Sequence, residues 1–94
     1  MSDMPPDAAE PVDDRTIEDA IFRLLARRQD SATLCPSEVA RDLRPEGESW
    51  RDLMPHVRRV AEHLARSHRL HVTRGGSPVD ATSRGGPIRL RAVR

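Results

Sequence analysis

Lysine and tyrosine are absent from the 94-residue chain, and cysteine, tryptophan and phenylalanine each occur once. Without lysine, arginine supplies all 16 basic residues, a bias expected of a GC-rich genome rather than of a function. The single cysteine, Cys35, cannot form an internal disulfide and suits a reducing compartment. Two aromatic rings, Phe22 and Trp50, are too few for a protein that stacks successive bases on aromatic platforms. No apolar run approaches the ~18–20 residues of a membrane span. The segment Met1–Asp14 has five acids and no base, the wrong sign for a secretory or mitochondrial leader. A cytoplasmic protein is therefore expected, and the length allows one small domain with a thin core.

What is present is a strong charge asymmetry. Residues 1–50 carry 6 Arg against 12 acids, and residues 51–94 carry 10 Arg against 3 acids. The net charge of +1 thus hides a half at −6 and a half at +7.

The first 14 residues, with Pro5, Pro6, Pro11 and almost nothing bulky to bury, read as a disordered acidic tail ahead of a folded unit over 15–94. Ile17, Ala20, Ile21, Leu24 and Leu25 share one helical face, so a first helix is expected from about Ile17 to Arg28, with Thr16 and Asp19 as a weak capping box. Ala32–Cys35 reads as a short extended stretch before Pro36. Pro36 suits the first position of a second helix that carries Val39, Ala40 and Leu43 inward. After the turn Arg44–Glu48, Val57, Val60, Ala61 and Leu64 form the stripe of a third helix, with Pro55 opening it or tightening the turn before it. The period then changes to alternation in Leu70–Thr73 and again in Ile88–Ala92, which predicts two strands. The segment between them, with glycine pairs at both ends, is too long for a tight hairpin and reads as a flexible flap. Helix, short strand, helix, helix, strand, long loop, strand is an α+β layout, that of a winged helix-turn-helix with the Gly-rich loop as its wing.

Three blocks of residues resemble a known family: Cys35-Pro36-Ser37-Glu38-Val39-Ala40-Arg41, Trp50-Arg51-Asp52-Leu53-Met54-Pro55-His56-Val57-Arg58 and Gly86-Pro87-Ile88-Arg89-Leu90-Arg91. They are similar, in order and spacing, to a small bacterial family defined only as a domain of unknown function. The resemblance covers roughly Ile17 to Arg91. It implies a winged-helix-like fold and carries no activity, substrate or cofactor.

Function has to be read from the residues. With Val57 at the centre of the buried face, Arg59, His63, Arg66 and His56 fall on the opposite side of the third helix, with Glu62 the single acid there. In a helix-turn-helix this element enters the major groove, where Arg and His can reach base edges and phosphates. Arg59, His63 and Arg66 are the expected reading residues and Arg84 in the wing a phosphate clamp, with Arg74, Arg89 and Arg91 as further backbone contacts on duplex DNA. A competing reading from another class is a protein-interaction module whose partner packs on the third helix or wing, because an Arg-rich outer face is often merely solvated.

The remaining constellations are weaker. His63, His68 and His71 with Cys35 would be the only zinc candidates, but their junction position does not aim the rings together, and no metal or cofactor is expected. Cys35 has no base partner and reads as a buried or half-buried small residue; Trp50, beside Leu53 and Met54, reads as a core anchor. Glu38, Arg41, Arg51, Arg58 and Arg89 are expected to form a structural ion-pair network, the alternative being that Arg51 and Arg58 belong to a binding surface. No acid/base pair, nucleophile triad or phosphate loop is visible, so an enzyme is not expected. No dimerisation helix follows the wing, and a monomer is the default.

Overall fold

A computed structural model describes residues 12–29 and 32–93. Three helices lie in the order α1 (Asp14–Ala26), α2 (Pro36–Leu43) and α3 (Trp50–Arg66), followed by the strands β1 (Leu70–Arg74), β2 (Ser77–Pro78) and β3 (Arg89–Ala92). The α+β class read from the sequence holds. The strands form one antiparallel sheet in the order β2-β1-β3. Leu34 extends the sheet beyond β3 through a bridge to Leu90, with two backbone hydrogen bonds of 2.8 Å.

Helix α1 starts three residues earlier than its apolar stripe suggests. Asp13 is the N-cap, and its carboxylate accepts from the Thr16 N–H at 2.9 Å and from the Thr16 hydroxyl at 2.7 Å. That cap takes the place of the expected Thr16–Asp19 box. The expected acidic tail falls mostly on residues 1–11, outside the described residues, whereas Asp13 and Asp14 already serve α1.

Helix α2 begins as the sequence predicts, with Pro36 at its first position and Cys35 as N-cap. The Glu38 carboxylate reaches back to the Cys35 N–H at 2.8 Å, so one orphan donor of the helix start is satisfied. Helix α3 begins at Trp50, so Pro55 lies inside it rather than at its start. The missing proline N–H removes one bond to the Arg51 carbonyl, near enough to the N-terminus for the helix to continue. At the far end His68 adopts φ +62°, while Arg69 N–H donates to Leu64 O at 2.9 Å and His68 N–H to Ala65 O at 3.0 Å. This pair of bonds is a Schellman stop, with histidine where glycine is usual.

The core is built from the periodic faces. Ile17 and Ile21 of α1, Val39 of α2, Val57 and Leu64 of α3, and Leu34, Ile88 and Leu90 of the sheet side are all fully buried. Ion pairs sit outside it: Arg23 to Asp42 joins α1 to α2, Arg28 just past α1 reaches Glu38 of α2, and Arg69 between α3 and β1 reaches Glu18 of α1.

The long connection differs most from expectation. Gly75 and Gly76, at φ +60° and +87°, make a two-residue turn that pairs Arg74 with Ser77 and Thr73 with Pro78. Positive φ at both central residues matches the twist of a hairpin, which is why a glycine pair serves here. Pro78 is tolerated because β2 is an edge strand. The remaining loop, residues 79–88, is pinned to the body rather than free: Ala81 is fully buried within it.

Candidate functional site

The outer arc of α3 carries the residues on which the sequence focuses attention. Arg59, His63 and Arg66 are all exposed. His56 is half-buried, with Nε2 2.6 Å from Asp14 Oδ1, so it braces α3 against the start of α1. Because α3 starts at Trp50, Asp52 joins Glu62 as a second acid on this arc, in the first turn where the helix dipole favours it.

The loop after β2 lies along one side of that arc. Glu62 Oε1 accepts from the Ala81 N–H at 2.8 Å, and its Oε2 accepts from Arg66 Nε, also at 2.8 Å. Arg66 reaches Asp80 at 3.7 Å as well. Glu62 thus spends its charge inward, and Arg66 is shared between two carboxylates. The Thr82 hydroxyl, followed by the Thr82 N–H and Arg66, holds the Asp80 carboxyl below its ordinary range. The Glu62 bond correspondingly pushes the Arg66 guanidinium further above its ordinary value. Arg84, at the tip, is exposed and makes no ion pair or hydrogen bond among the described residues.

Between α3 and this loop runs an open groove of about 480 Å³, lined by Arg51, Met54, Pro55, Arg58, Arg59 and Thr82. Three of these residues are cations and none is an acid. Arg51 is paired with Glu48 at 3.1 Å, while Arg58 and Arg59 have no carboxylate partner among the described residues. The Arg58 Nε–H is shut off from solvent and has no acceptor among the described residues. A buried donor in that condition costs roughly 1–3 kcal/mol.

Two strand arginines expected on DNA are committed to the fold instead. Arg74 donates to Gly86 O at 3.0 Å and to the Ser83 hydroxyl and carbonyl at 3.2 Å each, so it clamps the loop. Arg89 donates to Thr33 Oγ1 at 2.8 Å and to Cys35 Sγ at 2.9 Å, tying β3 to the start of α2. Arg91 is exposed.

The expected single network divides into two clusters. Glu38 pairs with Arg28, which lies outside the expected network, and Arg89 stands close by. Burial raises the Glu38 carboxyl, but the Cys35 N–H, Arg28 and Arg89 outweigh it and leave it below its ordinary value. The other cluster centres on Trp50, with the guanidinium of Arg41 4.3 Å and that of Arg51 4.8 Å from the ring centroid. Trp50 packs against the core but is only half-buried. Glu38 converges with neither Arg51 nor Arg58, so the network expected between them is not formed.

Cys35 is half-buried against Arg89, and His63, His68 and His71 are each exposed. Among the described residues no three His, Cys, Asp or Glu side chains gather into a metal site, and no helix is long and apolar enough to cross a membrane.

The groove and the docked loop escaped the sequence reading. The i,i+4 spacing of Glu62 and Arg66 was a legible signal for their pairing; the bond from Glu62 to Ala81 had none.

No curated protein matches the chain. Residues 14–93, from the first residue of α1 to one beyond β3, match a family described as "Protein of unknown function (DUF3253)". All three sequence blocks that carried the resemblance lie inside the match, and the chain belongs to that family.

Proposed function

We infer that the protein is a cytoplasmic, monomeric winged-helix protein that binds duplex DNA in an accessory or regulatory role and catalyses no reaction. Three features support the winged-helix reading: the element order, the sheet order Leu34-β3-β1, and a long β1–β3 connection beside α3. In that geometry α3 addresses the major groove and the loop addresses the flanking backbone.

One observation carries the functional reading. Arg59, His63 and Arg84 are exposed without charged partners among the described residues, on the two elements a winged helix turns toward its ligand. Arg59 and His63 are the base-edge readers and Arg84 is the phosphate contact. Arg66 joins them only by exchanging Glu62 and Asp80 for the ligand, so its share is the smallest. Half of the chain at +7 supplies the long-range attraction that precedes contact.

The test is equilibrium binding to random-sequence duplex DNA as salt is raised from about 50 mM, where phosphate neutralisation gives a linear fall of log K with log salt. It is run on the full chain and on a chain lacking residues 1–11, which preserves the Asp13 cap. No binding by either at the lowest salt would turn the reading toward a protein-interaction module.

A further inference from the structure

The groove between α3 and the loop has cations and no acid in its lining, and of the DNA-reading residues only Arg59 borders it. Its lining is Arg51, Arg58 and Arg59 with Met54, Pro55 and Thr82. Arg51 already has Glu48 at 3.1 Å, but Arg58 and Arg59 have no carboxylate among the described residues, and neighbouring like charges of that kind are relieved by an anion. Asp80, an acid of the adjoining loop, is already held by Thr82 and Arg66. Arg58 stands out. Its Nε–H is closed to water and lacks an acceptor among the described residues, so no hydrogen bond seen at that atom opposes turning the guanidinium toward a ligand in the channel.

We propose that this groove is a seat for a phosphate group, gripped by Arg58 and Arg59, with Arg51 at the Trp50 end of the channel. The proposal rests on the polyanion reading of the same face. A planar carboxylate is satisfied by one guanidinium fork, whereas a tetrahedral phosphate directs oxygens at several donors at once and suits three arginines. Met54 and Pro55 give an apolar wall for the carbon side of a phosphate ester. The phosphate comes either from a DNA backbone or from a free phosphate compound.

The experiment follows the backbone and arginine Nε–H resonances of the full-length protein by NMR. Inorganic pyrophosphate, random duplex DNA and poly-glutamate are titrated separately into the wild type, Arg58→Gln and Arg59→Gln. The folded amide spectrum of each variant is checked first. Saturable movement of Arg58 and Arg59 by pyrophosphate, weakened about tenfold in either variant, supports the seat. If duplex moves the same resonances and Arg58→Gln lowers the salt slope of duplex binding by about one, the backbone is the source. Saturable pyrophosphate binding with no duplex binding keeps the seat, assigns it to a free phosphate compound and overturns the DNA reading. Pyrophosphate moving nothing, with duplex binding unchanged in Arg58→Gln and weakened in Arg59→Gln, overturns the seat and leaves the DNA reading standing. Poly-glutamate saturating these resonances where pyrophosphate does not overturns it in favour of an acidic protein partner.

Discussion

The carboxylate of Glu62 and the backbone N–H of Ala81 meet at 2.8 Å and hold the long loop against the third helix. Ala81 is fully buried, so its N–H has no recourse to water if the carboxylate is lost. Removing the acceptor with Glu62→Ala therefore leaves a buried donor orphaned and should lower stability by roughly 1–3 kcal/mol. Glu62→Gln keeps an oxygen in place and should cost less than half as much. Urea midpoints for the two variants, read with the m-value, check both the size and the order.

Gly85 makes a second hold on the same loop. It sits at φ +138°, and an added Cβ would stand 2.9 Å from the guanidinium carbon of Arg74. Gly85→Ala combines a backbone strain of roughly 1–3 kcal/mol with displacement of the Arg74 clamp. Amide exchange in residues 79–88 should accelerate in Gly85→Ala and in Arg74→Ala, while the α1 amides keep their protection. Uniform loss of protection across the whole chain would mean that the clamp is part of the global fold and not a local fastening.

His68 is the place where a single change should strengthen the protein. Its φ of +62° lies in the left-handed region, which an L-residue with a Cβ occupies at a cost of roughly 1–2 kcal/mol. His68 is also exposed, so its ring has little packing to lose. His68→Gly should raise stability by about 1 kcal/mol, and Tm by about 4–8 °C in a domain of this size. A thermal melt that moves down would show that the imidazole has a role beyond the Schellman stop.

The residues whose role is set by local periodicity were legible, and those whose partners come from distant segments were not. Pro36 and Glu38 announce the start of α2, and Val57, Val60, Ala61 and Leu64 announce the inner face of α3, because both signals lie within a few residues. Gly75-Gly76 marks a turn in the sequence, but β2 is only two residues long and contains Pro78, too short for alternation to reveal a hairpin. The pairing of Arg28 with Glu38 depends on how α1 and α2 lie together, which neither helix encodes alone. On the candidate site, Arg59, His63 and Arg84 are as exposed as their positions suggested. Arg66 gained Asp80 as a partner, and the groove arose only from the docking of the loop.

The Arg28–Glu38 pair gives the fold a pH dependence with a definite sign. Burial raises the Glu38 carboxyl, yet the Cys35 N–H, Arg28 and Arg89 together bring it below its ordinary value in the folded chain. A carboxyl whose folded value is depressed contributes stability that is complete above about pH 5, where the unfolded chain is also ionised. The contribution is lost as pH falls through the lowered folded value. Glu38→Gln removes the ion pair but keeps an oxygen for the Cys35 N–H. With side chains 34% and 38% exposed, the Arg28–Glu38 pair is screened by solvent, and its loss at pH 7 should cost roughly 0.5 kcal/mol. That deficit should shrink toward zero as the pH is lowered from about 5 to 3, because the wild type then loses the same charge. Asp42, drawn down by Arg23, and Asp80, drawn down by Thr82, titrate in the same direction, so the variant retains a shallower acid slope. Urea unfolding of both proteins across this range decides the matter. A deficit that stays constant with pH would show that the charge of Glu38, and with it the pairing with Arg28, contributes nothing.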